Sequence, residues 1–118
     1  MNIRIEDLEK TDFTDVVEPD GAPVPPTSPG DILRHEFLVP LGMSASALAR
    51  DLRVPANRIT SILNKDRRVT ADTALRLARY FGTTPQFWLG LQNQYDLDVA
   101  LAEQGRAIER EITPRVID

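Results

Sequence analysis

At 118 residues, 42% hydrophobic and 27% charged, the chain has room for one domain with one core and a tail or two. It has no cysteine, which excludes a disulfide framework and a thiolate zinc site, and no apolar run near the ~18 residues of a membrane span. Its net charge of −4 excludes a uniformly basic nucleic-acid binder, so a phosphate-facing surface has to come from how the charge is distributed.

The distribution is uneven. Residues 1–28 set Arg4 and Lys10 against seven acids, Glu6, Asp7, Glu9, Asp12, Asp15, Glu18 and Asp20. Residues 29–83 carry nine cations, Arg34, Arg50, Arg53, Arg58, Lys65, Arg67, Arg68, Arg76 and Arg79, against five acids. Residues 84–118 return to an acidic balance, with three arginines against six acids. The middle of the chain is therefore where DNA or RNA could be met. The first residues, MNIRIEDLEK, lack the basic-then-apolar order of a secretion signal, so a cytoplasmic location is expected.

In chain order, residues 1–28 form an acidic, Pro-rich N-terminal extension. Ile3-Arg4-Ile5 alternates as a short strand would, while Ile5 and Leu8 suit a helical turn equally well. The apolar content is too thin for a separate core. Residues 19–29, PDGAPVPPTSP, hold five of the nine prolines and cannot be helical, so an extended linker is predicted. Two readings stand for this region: a tail without fixed structure, or a segment that orders on a protein partner, for instance by adding a strand to its edge.

Ser28-Pro29 supplies a helix start, and Ile32, Leu33, Phe37 and Leu41 give an apolar face at helical spacing. Pro40 and Gly42 are read as the end of this helix. The single histidine, His35, suits an exposed helix face and no catalytic role. Ser44 or Ser46 caps the next helix, in which Leu48 and Leu52 point inward and Ala47 and Ala49 permit close helix approach. Arg53-Val54-Pro55 is the turn. Arg53 stands where positive φ is expected, at some conformational cost.

A third helix, Pro55 to Leu63, turns Ile59, Ile62 and Leu63 inward, leaving Ala56, Asn57, Arg58, Thr60 and Ser61 outside. A helix that enters the major groove needs short or polar side chains there, with Asn suited to adenine, Arg to guanine and Ser or Thr to phosphate or a thymine methyl. A solvated helix face carries the same residue types, so composition alone does not decide. The following loop favours DNA: Asn64, Lys65, Arg67 and Arg68 place cations where flanking phosphates would lie. Thr70 caps a fourth helix, Ala71 to Phe81, with Ala74, Leu75, Leu77, Ala78 and Phe81 as apolar positions and Gly82 as its stop.

Thr84-Pro85 opens a fifth helix predicted to reach about Arg110, roughly 38 Å at ~1.5 Å per residue. Phe87, Leu91, Tyr95, Val99 and Ala102 share one stripe, with Trp88, Leu101 and Ile108 nearby. That length exceeds what closing one small core requires. The stripe is accordingly assigned to dimerisation, against the plain alternative of a solvated C-terminal helix. The fold class is all-α, with a five-helix domain over residues 29–92, an extension over residues 93–118 and the acidic extension over residues 1–28.

From Ser28 to about Leu91 the chain resembles the HigA family of antitoxins, within the lambda-repressor-like, or xenobiotic-response-element, group of helix-turn-helix proteins. The residues that carry the resemblance are Pro29-Gly30-Asp31-Ile32-Leu33, Phe37-Leu38-Val39-Pro40-Leu41-Gly42, Leu48-Ala49, Val54 to Ile59, Thr70 to Ala78, and Phe87 to Gln92. The family pattern begins close to Pro-Gly, whereas 28 residues precede Pro29 here. The resemblance implies a homodimeric antitoxin that neutralises a small basic, mRNA-cutting toxin of the HigB type. It also implies repression of the shared operon through an operator with an inverted repeat. On that basis the DNA contacts fall on Ala56, Asn57, Arg58, Thr60 and Ser61, with Asn64, Lys65, Arg67 and Arg68 beside them. No cofactor or metal is implied. A stand-alone regulator of the same fold is the alternative. An enzyme has no support in a chain with no cysteine, one histidine, no Gly-rich phosphate loop and no carboxylate pair at useful spacing.

Overall fold

A computed structural model describes residues 25–116 as five helices around one core, with no strand among them. The strand or helical turn considered for residues 3–8 and most of the Pro-rich extension lie outside the described residues.

The first helix, α1, spans 29–41 without a break. It begins as an α-helix over Pro29–Ile32, widens to a π-helix over Leu33–Leu38, and returns to α geometry over Val39–Leu41. Its start is a full capping box: Ser28 Oγ accepts from Asp31 N at 3.1 Å, and Asp31 Oδ2 accepts from Ser28 N at 3.2 Å. Ser28 is buried. Pro40 does not end the helix. It lacks an N–H and its ring crowds the carbonyl four residues back. Immediately before it the helix is wide, with Val39 N–H bonded to the Arg34 carbonyl five residues back. The extra residue in that turn rotates the last turn of the helix about its axis. Leu38 turns inward, and Leu41, expected on the apolar face, is exposed. Gly42, at φ 62°, ends the helix.

Helix α2 (Ala45–Leu52) is capped by Ser44, not Ser46, and buries Leu48, Ala49 and Leu52. Helix α3 (Ala56–Leu63) buries Ile59, Ile62 and Leu63; Pro55 stands just before it as the cap residue. Helix α4 (Ala71–Phe81) buries Thr73, Ala74, Leu77 and Ala78 and ends at Gly82, φ 74°. Leu75 does not join the core and is 59% exposed, because the inward stripe runs through Ala74, Leu77 and Ala78 at i, i+3 and i+4. Thr70 occupies the cap position of α4 without a side-chain cap bond.

Helix α5 (Pro85–Glu111) starts with Thr84 Oγ1 accepting from Phe87 N at 3.1 Å. Only its first two turns are buried, through Phe87, Trp88, Leu91 and Gln92. Trp88 is fully covered, 5.2 Å from Phe37 by ring centroid, and its indole N–H donates to Thr83 Oγ1 at 2.6 Å. Phe37 also packs on Phe81 at 4.7 Å. Beyond Gln92 the helix projects as a rod, which accounts for the 51 Å long axis against 33 and 27 Å for the others.

Candidate nucleic-acid interface

The two helices α2 and α3 meet across a turn held by left-handed backbone. Arg53 adopts φ 60°, ψ 46°, and its N–H reaches back to the carbonyls of Ala49 and Arg50. Val54 N–H bonds to Ala49 O at 3.0 Å. This strained step is uncommon for a side chain other than glycine or asparagine. It delivers Pro55 in extended conformation, φ −60°, ψ 145°, from which α3 starts.

The outer face of α3 carries the five predicted positions. Ala56, Asn57 and Thr60 are exposed; Arg58 and Ser61 are half-buried. No side chain caps the start of α3; within its first turn Arg58 N–H donates to the Pro55 carbonyl at 3.0 Å. Thr60 Oγ1 bonds weakly to its own helix, at 3.4 Å from Ala56 O. Arg58 is not free: its Nη1 lies 2.5 Å from Asp72 Oδ2 on α4.

The cationic loop folds back onto α3 through Asp66 N and Arg67 N, both donating to Ser61 O, at 2.8 and 3.2 Å. Lys65 is the second non-glycine residue with positive φ among the described residues, at 67°, and nothing in its side chain signals it in the sequence. Each outer cation of the loop has its own environment. Lys65 Nζ stands 3.5 Å from Asp31 Oδ2, and Arg68 Nη1 pairs with Asp96 Oδ2. Among the described residues no acid pairs with Arg67. Exposed pairs of this kind stabilise little, so phosphates can exchange for the carboxylates at small cost.

Behind the loop sits a residue that the family pattern contained without explaining. Gln92 is buried on α5, its Oε1 accepts from Val69 N at 2.8 Å, and its Nε2 donates to Asp96 Oδ1 at 3.0 Å. The loop's exit is thus pinned to α5 by one amide, and Arg68 is held by the same Asp96. Its position four residues after Trp88, on the buried stripe, was the available signal: a polar residue there needs a partner.

The predicted dimer stripe divides. Phe87 and Leu91 are only 4% and 7% exposed, covered by the chain's own helices, and have no surface to offer a second copy. Tyr95 and Val99 are half-buried and Ala102 is exposed. A second stripe went unrecognised as such: Leu97, Leu101 and Ile108 lie at i, i+4 and i+11 on the opposite side of the rod, 54%, 57% and 46% exposed.

A helix-turn-helix family matches residues 35–88 of the chain. Among solved structures, the antitoxin HigA of Pseudomonas aeruginosa, determined with the higBA promoter, is 47% identical. It superposes with a TM-score of 0.75, covering 77% of this chain and 99% of that one. An addiction-module antidote protein of the HigA family from Coxiella burnetii is 53% identical at TM-score 0.74, covering 78% of this chain and all of that one, 100%. An uncharacterised helix-turn-helix transcriptional regulator of Haemophilus influenzae is 49% identical over 72 residues, 61% of this chain and 67% of its own length.

Proposed function

The chain belongs to the HigA family of helix-turn-helix antitoxins, and from that premise we propose that it represses its own operon as a dimer and neutralises a HigB-type mRNA-cutting toxin. The observation that carries the DNA half is the outer face of α3. A short helix, uncapped at its start, presents Ala56, Asn57, Arg58, Thr60 and Ser61 in the basic part of the chain, with Asn64, Lys65, Arg67 and Arg68 following. In this reading α3 enters the major groove, Asn57 and Arg58 read base edges, and the loop cations hold the flanking phosphates. The P. aeruginosa relative, solved with promoter DNA, supports that reading.

The dimer rests on α5. Its projecting half, residues 93–111, leaves apolar stripes that one copy cannot bury: Tyr95, Val99 and Ala102 on one side, Leu97, Leu101 and Ile108 on the other. A second copy covering part of that rod places two α3 helices on one side of the duplex, and an inverted repeat with centres about 34–36 Å apart follows. The acidic flanks favour a basic protein partner over DNA, in keeping with a toxin that binds RNA. No described helix is long and apolar enough to cross a membrane; a cytoplasmic site of action fits a protein that works on an operator.

Purifying the native assembly tests this. A small basic protein should copurify, and the complex should bind the footprinted region upstream of the chain's own reading frame. A chain that binds that DNA as a dimer with nothing attached would be a stand-alone regulator. A monomer at micromolar concentration would remove the dimer.

The loop cations make a separate prediction. Alanine at Lys65, Arg67 or Arg68 should weaken binding to operator and unrelated DNA alike, and lower the slope of log K against log salt by about one for each phosphate no longer neutralised. Arg67→Ala should cost most, since Lys65 and Arg68 must first release Asp31 and Asp96. Titrations between low and moderate salt read this directly. An unchanged slope would take the loop off the phosphates.

A further inference from the structure

We propose that Asp72 is a specificity-determining positioning residue: it holds the Arg58 guanidinium in place to read a base, and so converts a mobile cation into a base-edge reader. The proposal rests on the reading of α3 as the DNA-contacting helix and adds to it a residue on a different helix.

Three connections carry it. Asp72, in the first turn of α4, accepts from Arg58 Nη1 at 2.5 Å through its Oδ2. The same oxygen accepts from Arg76 Nε at 3.0 Å. Arg76 in turn donates from Nη1 to the backbone carbonyl of Leu52, the last residue of α2, at 2.8 Å. The chain of contacts runs from the end of α2, through Arg76 and Asp72, to the side chain of Arg58 on α3. Asp72 is therefore anchored from behind to rigid backbone before it touches Arg58. The two guanidinium groups also keep it ionised: Arg76 first, then Arg58, hold its carboxyl below the usual carboxylate range.

The bond to Asp72 engages only Nη1 of Arg58, and the Arg58 side chain remains 29% exposed. The rest of its planar donor set is left for a guanine edge, which takes two donors in fixed geometry. A free arginine on a helix surface samples many rotamers and is drawn to phosphates, which carry no sequence information. Holding it by one nitrogen removes that freedom before DNA arrives and leaves the recognition geometry in place. The carboxylate has a second effect. An anion beside the groove repels phosphate, so it lowers affinity for every sequence, and only a well-placed guanine regains the difference.

These two effects separate Asp72 from a residue that merely stabilises the fold. In Asp72→Asn, binding to a scrambled duplex should strengthen by a few-fold, because an anion has gone. The preference for the footprinted upstream fragment over that duplex should fall about tenfold. Replacing the contacted guanine by 7-deazaguanine, which lacks the N7 acceptor, should weaken the parent protein and leave Asp72→Asn nearly unaffected. Asp72→Glu keeps the charge and lengthens the arm; its affinity for scrambled DNA should stay at the parent level while its preference falls. The full chain is used throughout, with melting temperature as control. An unchanged preference in both variants overturns the proposal. So does equal strengthening on both duplexes, which would make Asp72 only an electrostatic brake, or equal weakening with a lowered melting temperature, which would make it only structural. If Arg58→Ala retains operator affinity, it is the assignment of α3 that fails.

Discussion

Replacing Arg58 by alanine should abolish operator binding while leaving folding and protein-partner binding intact. One bidentate arginine–guanine contact is worth roughly 1–3 kcal/mol, so two copies in a dimer lose about 2–6 kcal/mol, on the order of 30- to 10,000-fold in affinity. The fold should tolerate the change. Arg58 is half-exposed, its partner Asp72 keeps Arg76, and Ile59, Ile62 and Leu63 hold α3 in the core without it. Electrophoretic mobility shift on the upstream fragment measures the loss, and pull-down of the copurifying protein measures what remains. Equal loss of both activities would remove α3 from the DNA. Asn57, exposed one residue earlier, is the only other long polar side chain in the first turn of the helix. It should therefore set whatever discrimination survives in Arg58→Ala.

What the sequence could and could not reveal divides along a physical line. The helices, the caps at Ser28, Ser44 and Thr84, and the inward faces of α2 and α3 were legible, because amphipathic spacing and capping chemistry are local. Arg53 was legible too: it occupies the place where this helix-turn-helix motif often has glycine, and φ is 60° there. The widened turn ahead of Pro40 was not, since proline alone signals a stop as readily as a bulge. Leu41 was misplaced for that reason. Phe87 and Leu91 are covered within the chain itself, which the sequence does not show, because periodicity gives the direction a side chain faces and not what lies opposite. The stripe they begin is covered by the chain's own helices in its first turns and bare afterwards. The outer face of α3 was identified residue by residue, yet the partners of its cations were not. Asp72 lies 14 residues from Arg58, and Asp96 lies 28 from Arg68, so no local rule could pair them.

Those pairings change how the surface charge is to be understood. Three of the cations expected to meet DNA are matched by carboxylates on three different helices: Lys65 by Asp31 on α1, Arg58 by Asp72 on α4, Arg68 by Asp96 on α5. The interface is thus close to neutral in its own frame although it sits in the basic part of the chain. At Lys65 and Arg68 affinity then depends on exchange of carboxylate for phosphate, while Arg58 keeps Asp72 and reads with its remaining donors, so geometry matters more than net charge. It also ties the proposed DNA surface to the frame, because each carboxylate is fixed on a separate helix. A shift of α1, α4 or α5 moves one cation and leaves the others.

Gly30→Ala should show that dependence, and it should be the most damaging single-methyl change in the domain. A Cβ built on Gly30 would lie 2.3 Å from the Ile62 carbonyl oxygen, and 3.0 Å from both the Ile62 carbonyl carbon and Leu63 Cα. All three are backbone atoms at the end of α3, so no side chain can swing aside. Either α1 lifts or α3 is pushed outward. Overpacking of this kind costs about 1–3 kcal/mol and sometimes more. For a domain of this size that lowers Tm on the order of 10 °C. The glycine is not needed for its φ, since it lies inside α1 with Ser28 and Asp31 closing the cap around it. It is needed for space. The displacement also reaches function, because the loop begins directly after Leu63 and Asp31, next to Gly30, holds Lys65. Affinity for operator should therefore fall even at temperatures where Gly30→Ala is fully folded, while Gly90→Ala, inside α5 with nothing within 4 Å of the added methyl, should leave affinity unchanged and raise Tm by a few degrees. Thermal melts and DNA titrations at low temperature separate the two effects. Parent-like affinity in folded Gly30→Ala would mean that the loop takes its position from α5, through Gln92 and Val69, and not from the contact of α1 with α3.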